Sequence, residues 1–189
     1  MIKDIIRIID VLISTLVILM FFPIIFLISL LILTFNGRPI IFKQTRVGYM
    51  GKKFTILKFR TMKNTTFKDE KLRVTKLGKI LRRSSLDELP QFINVLKKEM
   101  SIVGPRPLPI HIEEKIKRSI KIKRRKILPG ITGLSQINYT GKKRKLVEKI
   151  DLDIELVSNY NLYNYFKIII KTPIILFIRL LKNKTSIIE

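Results

Sequence analysis

Two adjacent carboxylates, Asp87 and Glu88, are the residues of this chain best suited to chemistry at a phosphate group. The spacing from Ser85 to Glu88 matches a capping box, which predicts that a helix begins there. Negative charge is stabilised in the first turn of a helix, where unpaired N–H groups can also hold a phosphate. Such a pair could bind Mg²⁺ together with phosphate oxygens, or one carboxylate could attack phosphorus. The alternative is simpler, because acidic residues favour the first turn of any helix.

Five basic residues are candidates to surround these carboxylates. Lys58 and Arg60 end a predicted strand, Arg82 and Arg83 lie shortly before the acidic pair, and Arg106 stands between two prolines. Guanidinium groups bind diphosphate oxygens in bidentate pairs, which fix geometry as well as charge. Each of these residues alone would be interpreted as solvated surface, and only their clustering favours a phosphate site.

The composition restricts the chemistry further. The chain has no cysteine and a single histidine, His111, so thiolate chemistry is excluded, and zinc centres and His-paired nucleophiles are disfavoured. A formal net charge of +24 points to nucleic acid, anionic lipid or a phosphorylated substrate, although compositional drift explains the excess equally well. Nucleic-acid binding is disfavoured, because aromatic residues make up 8% of the chain and tryptophan is absent. We therefore expect catalysis by carboxylates, cations and a hard metal ion.

A long apolar segment near the N-terminus predicts residence in a membrane. Residues 11–35 carry no charge, and a spanning helix needs about 20 residues. Pro23 divides the segment into halves of ~18 Å, whereas a hydrocarbon core is about 30 Å thick. Basic residues flank both ends, so the positive-inside rule selects no orientation. A re-entrant helix hairpin broken at Pro23, with Phe22 leaving helical geometry, and a kinked spanning helix both remain open at this point.

The remaining pattern predicts an α+β protein that is mostly helical. Two β-prone runs around Gly48–Gly51 predict a β-hairpin, and apolar spacing predicts a helix over residues 86–100. A basic helix is predicted over 111–126. An amphipathic helix over 160–181 would lie in the membrane interface, with an ordinary core helix as the alternative. We assign residues 1–37 to the membrane segment and residues 38–189 to a cytoplasmic domain with interfacial helices.

Several runs together resemble the bacterial sugar transferase family, the monotopic phosphoglycosyl transferases, in its short form with no further membrane domain ahead. The runs that carry this resemblance are Lys58-Phe59-Arg60-Thr61-Met62, Ser85-Leu86-Asp87-Glu88-Leu89-Pro90-Gln91, Asn94-Val95-Leu96, Met100-Ser101-Ile102-Val103-Gly104-Pro105-Arg106-Pro107, Pro129-Gly130-Ile131-Thr132-Gly133 and Gln136-Ile137-Asn138. They occur in order from the membrane segment to about Asp153.

The resemblance implies a re-entrant membrane helix and transfer of a sugar phosphate from a UDP-sugar to undecaprenyl phosphate. It implies that Asp87 forms a covalent phosphosugar and releases UMP, and that Glu88 helps to hold Mg²⁺ or orients a phosphate. It places the protein at the cytoplasmic face of the bacterial inner membrane, among anionic lipids, and is compatible with a homodimer. The substrate-binding residues that we predict on this basis are Lys58, Arg60, Arg82, Arg106 and Gln136. A catalytically silent basic scaffold at the membrane, or a nucleic-acid-binding protein, is the alternative.

The chain departs from the family pattern at several positions. Phe22 replaces a serine before the membrane proline, Lys98 a glycine, and Leu128 an arginine. Leu134-Ser135 replaces a Trp-Ala pair, and Tyr139-Thr140 a Gly-Arg pair. The last two changes fall near the expected nucleotide-sugar region, so the sugar stays open and reduced activity is an alternative outcome.

Overall fold

The computed structural model describes residues 2–63, 73–138 and 145–181, a mostly helical chain with two small sheets. The helices are α1 (Ile2–Asn36), α2 (Lys76–Ser84), α3 (Gln91–Leu96), α4 (Ile110–Glu113), α5 (Arg118–Arg124), α6 (Leu134–Ile137), α7 (Leu146–Ser158) and α8 (Leu162–Leu181). The strands are β1 (Ile41–Val47), β2 (Lys53–Phe59), β3 (Ser101–Val103) and β4 (Gly130–Thr132). The predicted α+β class is confirmed.

The predicted β-hairpin is present. β1 and β2 pair antiparallel from Ile41 opposite Phe59 to Val47 opposite Lys53. A 3₁₀ turn over Tyr49–Gly51 joins them, and Gly51 has a φ of 82°, which glycine adopts without strain. The hairpin buries side chains of β2 in the core, so the end of β2 has a defined place relative to the helices.

A second sheet joins two runs that the sequence indicated only as a turn and a loop. β3 and β4 pair in parallel, with Ser101 opposite Gly130 and Val103 opposite Thr132. Gly104, just after β3, lies so close to Gly130 at the start of β4 and to Gly133 after β4 that a Cβ on either would collide with the Gly104 backbone. Only glycine allows this approach. The Gly-Pro-Arg-Pro run is therefore fixed against the Pro-Gly-Ile-Thr-Gly run.

The apolar N-terminal segment forms one helix, α1, which contains Pro23. The expectation that Phe22 leaves helical geometry is therefore wrong, and the segment is not two helices joined by a turn. Proline removes one N–H donor, but a long apolar helix accommodates it by local adjustment. α1 is long and apolar enough to cross a membrane by length and composition. The re-entrant path through the bilayer stays a prediction.

The N-terminal half of α1 is fixed to the folded unit by two charged side chains. Arg7 donates to the last two carbonyls of α3 at 2.6 and 2.9 Å. The buried Asp10 carboxylate accepts from the Ile102 amide at 2.8 Å and from the Tyr165 hydroxyl at 2.7 Å. Ile6 packs in the same core as β3 and α8. Arg7, one of the basic residues that flank the apolar segment, thus holds this half of α1 against α3.

The C-terminal half of α1 is fixed to the same unit. Ile28 and Ile32 are buried against Phe59 of β2 and against α2. Arg60 donates to the Arg38 carbonyl at 2.8 Å and also to the carbonyls of Asn36 and Gly37. They are the carbonyls of the last residue of α1 and of the two residues after it, and the carbonyls at a helix C-terminus have no partner within the helix. Both halves of α1 thus contact one folded unit.

Large apolar side chains stay exposed on α1 and α8. On α1 they include Leu12, Leu16, Leu19, Met20, Phe22, Phe26 and Leu27. On α8 the exposed set is Tyr163, Phe166, Ile170, Ile174 and Phe177, while Tyr165 and Ile168 on another face are buried. The predicted helix over 160–181 is confirmed as α8, with apolar side chains on two faces. Patches of this extent mark an interaction surface.

Two predicted helices are shorter than expected. The helix over 86–100 is a 3₁₀ turn, Leu86–Glu88, followed by α3. The basic helix over 111–126 is divided into α4 and α5. Pro90, which has no N–H to donate, separates the 3₁₀ turn from α3. In the second case the like charges of Lys117, Lys121 and Arg125, each four residues apart, oppose a continuous helix.

Candidate active site

Asp87 and Glu88 lie in the 3₁₀ turn that follows α2. Ser85 has a φ of 57° and ends α2, and its side chain makes no capping hydrogen bond. The predicted capping box is therefore wrong. The Ser85 amide donates to the Arg82 carbonyl, and the left-handed conformation of Ser85 ends α2. The Glu88 carboxylate accepts a hydrogen bond from Lys58. A left-handed non-glycine residue next to a candidate nucleophile is a common site of local strain.

Asp87 is buried, with 8% of its surface exposed. Its carboxylate accepts no hydrogen bond from the residues that the structure describes. Burial, and secondly the charge of Glu88, raise its pKa to about 6, while Lys58, Arg82 and Arg106 act in the opposite direction. Asp87 is thus a desolvated carboxylate near neutrality, and desolvation makes an anionic nucleophile more reactive.

Glu88 brings two of the predicted cations together. Its Oε1 accepts from Lys58 Nζ at 2.8 Å and from Arg106 Nη2 at 3.4 Å. Lys58 comes from the end of β2 and Arg106 from the loop after β3. Three segments that are distant in the sequence therefore meet at the acidic pair, and the predicted role of Lys58 and Arg106 in substrate binding stays a prediction.

Arg82 and Arg60 have different surroundings. Arg82 lies in the last turn of α2, donates to the Thr61 hydroxyl at 2.8 Å, and its charge acts on Asp87. Arg60 is buried and donates to the carbonyls that end α1. A guanidinium held by these carbonyls stabilises the end of the helix, and the predicted role of Arg60 in phosphate binding stays a prediction.

Gln136 lies in α6, after β4. The Ser135 hydroxyl lies 2.8 Å from Gln136 Oε1 and 2.8 Å from Asp153 Oδ1, and its single proton cannot serve both acceptors. Gln136 Nε2 is meanwhile buried without a partner in the described ranges. Exchanging the two amide atoms of Gln136 removes the conflict at the Ser135 hydroxyl, because the amide then donates to Ser135 and Ser135 donates to Asp153. Among the described residues, Gln136 therefore belongs to a chain of hydrogen bonds that leads to Asp153, and not to the Glu88 ion pairs.

Sequence reasoning missed a buried charged cluster and one buried amide. Arg124 forms ion pairs with Glu113 at 3.1 Å and Asp153 at 2.8 Å, with all three side chains at most 5% exposed. Because Arg124 lies within a run of basic residues typical of a surface, the sequence did not indicate that it is buried or paired. Gln91 lies one helical turn after Asp87, is 2% exposed, and has an amide nitrogen without a partner among residues 2–63, 73–138 and 145–181. Its spacing from Asp87 was the available signal.

The acidic pair has the donors that Mg²⁺ requires when phosphate completes its coordination. In the described parts of the chain, no three His, Cys, Asp or Glu side chains are grouped for an ion. Mg²⁺ is usually held by one or two carboxylates together with waters and substrate phosphates. Asp87, with its carboxylate not engaged in hydrogen bonds to described residues, and the adjacent Glu88 fit this arrangement.

The departures from the family pattern fall at distinct places. Lys98, where glycine is usual, has a φ of 63° in the turn after α3. Leu128 precedes β4, and its carbonyl lies against Gly104. Leu134 packs on the main core, whereas Tyr139-Thr140 lies outside the described residues. The geometry at position 98 explains why glycine is favoured there.

Comparison with known proteins assigns the family. The model of the family described as bacterial sugar transferase matches residues 2–179. The UDP-glucose:undecaprenyl-phosphate glucose-1-phosphate transferase of Escherichia coli (strain K12) is 39% identical over 178 residues, covering 86% of this chain and 38% of that protein. The uncharacterized sugar transferase EpsL of Bacillus subtilis (strain 168) is 42% identical over 148 residues, covering 72% of this chain and 69% of that protein.

A relative with a different sugar in its name is similar over the same extent. The UDP-N-acetylgalactosamine-undecaprenyl-phosphate N-acetylgalactosaminephosphotransferase of Aeromonas hydrophila is 34% identical, covering 86% of this chain and 41% of that protein. The chain thus spans about two fifths of the length of the Escherichia coli and Aeromonas relatives. Because the family match extends over nearly the whole chain and includes the acidic pair with its cations, this protein belongs to the bacterial sugar transferase family.

Proposed function

We propose that this chain transfers a sugar phosphate from a UDP-sugar to undecaprenyl phosphate and releases UMP, the first membrane step of glycan assembly. The observation that carries the proposal is the buried Asp87 carboxylate, which makes no hydrogen bond to described residues and is grouped with Lys58, Arg82 and Arg106. Relatives whose names state this reaction support it.

In the first step, an Asp87 carboxylate oxygen attacks the phosphorus that carries the sugar. The bond between that phosphorus and the bridging oxygen breaks, and its electron pair leaves with UMP. Asp87 then carries the phosphosugar as an acyl phosphate. In the second step, an oxygen of undecaprenyl phosphate attacks the same phosphorus, and the Asp87 carboxylate leaves. The product is a lipid diphosphate sugar, and the enzyme is restored.

The surrounding cations support both steps through charge. Negative charge is spread over phosphoryl oxygens in the transition state, and fixed cations stabilise it without rearrangement. Lys58 and Arg106 already converge on Glu88, 2.8 and 3.4 Å from its Oε1. Glu88 thereby holds two cations near Asp87 before a diphosphate arrives.

Asp87 and Glu88 would hold Mg²⁺ together with oxygens of the diphosphate. When bound, the ion would offset part of the negative charge of the two phosphates. The nucleophile and the fixed cations of this mechanism are residues of the chain itself.

The membrane placement that we propose is monotopic, at the cytoplasmic face of the bacterial inner membrane. Arg7 and Asp10 fix one half of α1 to the folded unit, and Arg60 fixes the other end to the same unit. A helix that crossed a bilayer would carry its ends to opposite sides, so these contacts support a re-entrant path. Exposed apolar side chains on α1 and α8, with Lys167 and Lys171 between those of α8, support contact with anionic lipids. The lipid acceptor would then reach Asp87 without leaving the bilayer.

The decisive test is transfer by the purified chain in detergent or nanodiscs. We expect UMP release with Mg²⁺, undecaprenyl phosphate and one member of a panel of UDP-sugars. Without the lipid acceptor, a UDP-sugar labelled at the sugar-side phosphate should leave label on the wild-type protein. Asp87→Asn should lose both label and turnover, whereas Asp151→Asn, at an exposed carboxylate of α7, should keep them. Label retained by Asp87→Asn would exclude Asp87 as the nucleophile, and vesicle binding without any UMP release would favour a silent scaffold.

A further inference from the structure

The loop that carries Arg106 is held at three consecutive backbone carbonyls. The Gly130 amide donates to the Pro105 carbonyl at 2.9 Å. Arg124 Nη2 donates to the Arg106 carbonyl at 2.8 Å, and Arg46 Nη1 donates to the Pro107 carbonyl at 2.8 Å. Prolines restrict φ on both sides of Arg106 but leave the orientation of its peptide groups open. The three hydrogen bonds define that orientation.

Arg124 is the buried member of this set. Its side chain is 5% exposed, and its guanidinium also contacts Asp153 Oδ2 at 2.8 Å and Glu113 Oε2 at 3.1 Å. One planar group therefore joins α5 to α4 and α7 and to the loop of Arg106. A lysine keeps the charge but has a single nitrogen, so it cannot make these contacts together.

The side chain of Arg106 extends from this loop to the acidic pair. Arg106 Nη2 lies 3.4 Å from Glu88 Oε1, and the Arg106 charge acts on Asp87. A small displacement of the Arg106 backbone would move this guanidinium relative to a bound diphosphate, and misplacement by about 1 Å can cost roughly a hundredfold in rate. We propose that Arg124 is a positioning residue for the transfer reaction and acts through Arg106.

This inference rests on the proposed function and assigns a role to a residue that touches neither substrate nor nucleophile. A purely structural role for Arg124 is the competing explanation, because breaking a buried ion pair destabilises a protein. The two explanations differ in whether the effect of Arg124 depends on Arg106.

The neighbouring Arg125 provides a matched control. It also binds Glu113, with Nη2 3.1 Å from Oε1, but its side chain is 27% exposed. It makes no contact with the Arg106 carbonyl in the described parts of the chain. Arg125→Lys changes the same ion-pair cluster without changing the loop.

A double-mutant cycle on the full chain in nanodiscs separates the explanations, with UMP release measured over a range of UDP-sugar concentrations. We expect Arg124→Lys to lower kcat/KM about ten- to a hundredfold in the wild-type background. In the Arg106→Ala background it should lower kcat/KM by less than about twofold, since coupled residues are not additive. Arg125→Lys should stay within about twofold of wild type in both backgrounds.

Equal losses from Arg124→Lys in the two backgrounds would overturn the positioning role while leaving the proposed function intact. Absence of UMP release from the wild-type chain would overturn the proposed function and this inference with it. If Arg124→Lys does not fold, Arg46→Met tests the same anchoring from the partly exposed side, because it removes the hydrogen bond to the Pro107 carbonyl. Its loss of activity should likewise disappear when Arg106 is alanine, and persistence of that loss would refute the positioning of Arg106 by its loop.

Discussion

Replacing Asp87 by asparagine is expected to abolish transfer and, at neutral pH, to make the folded chain more stable. The carboxylate is buried, and its pKa rises from 3.8 to about 6 because burial and the charge of Glu88 disfavour ionisation. That rise corresponds to about 3 kcal/mol. Protonated Asp87 is therefore tolerated in the folded state, and ionised Asp87 costs up to about 3 kcal/mol of the free energy of unfolding. Asparagine is neutral and of similar shape, so it removes this cost.

The sign of the pH dependence follows from the raised pKa. Below pH 3.8 Asp87 is protonated in both the folded and the unfolded chain, so wild type and Asp87→Asn should be equally stable at this site. As pH rises through 6, wild type loses stability and the variant does not. Above pH 6 the difference should reach its full value of about 3 kcal/mol, or about 6–12 °C in Tm for a chain of this size.

Thermal unfolding in one detergent, at steps from pH 4.5 to pH 8, measures this difference. Asp151→Asn is the control, because Asp151 is exposed on α7 and its replacement should change Tm little at any pH. Equal Tm values for wild type and Asp87→Asn at pH 7.5 would refute the reasoning. If the variant is less stable than wild type, attraction between ionised Asp87 and the surrounding cations outweighs the cost of burying its charge.

Three further predictions concern Asp87, Lys98 and Ser135. The kcat/KM for UMP release should fall as pH drops below about 6, since the nucleophile must be ionised, and a flat profile between pH 5 and 7 would contradict a role for ionised Asp87. Lys98→Gly should raise the free energy of unfolding by up to about 1 kcal/mol, because Lys98 has a φ of 63°, whereas Lys97→Gly, at a φ of −74°, should lower it by about 1 kcal/mol. Equal effects of the two glycines in denaturant unfolding would count against strain at position 98. Ser135→Ala should destabilise the chain by about 1.5 kcal/mol, because the hydroxyl donates to the buried Asp153 carboxylate, and unchanged unfolding at pH 7.5 would refute that hydrogen bond.

Local patterns in the sequence were enough to predict several elements of the fold. The hairpin of β1 and β2 follows from β-prone runs around Gly48–Gly51, because turn chemistry and alternation act between near neighbours. The apolar run of residues 11–35 predicted a segment suited to a membrane, and α1 has that length and composition, while its path through a bilayer stays a prediction. Asp87 and Glu88 were candidates for phosphate chemistry because of their charge and their neighbours in the chain, whereas the role of Asp87 as nucleophile came from the family resemblance and stays a proposal.

The surroundings of those carboxylates were decided by tertiary structure. Glu88 pairs with Lys58, 30 residues away, and with Arg106, 18 residues away. Arg60 lies only two residues from Lys58 but donates to the end of α1 instead. The residue type of Arg60 allowed it to lie either at the acidic pair or at the end of α1, since a guanidinium can donate to a phosphate or to a carbonyl.

The predicted capping box at Ser85 and the buried position of Arg124 also show that tertiary contacts decide what local sequence cannot. A local motif is overruled when a distant partner satisfies the same group better, as Lys58 does for Glu88. Arg124 looks like one more basic surface residue until α4 and α7 bring Glu113 and Asp153 to it. By itself the sequence determined the apolar helix, the hairpin and which residues could react. Only packing decided which charges lose water and which partners they meet, because desolvation depends on segments that approach from far along the chain.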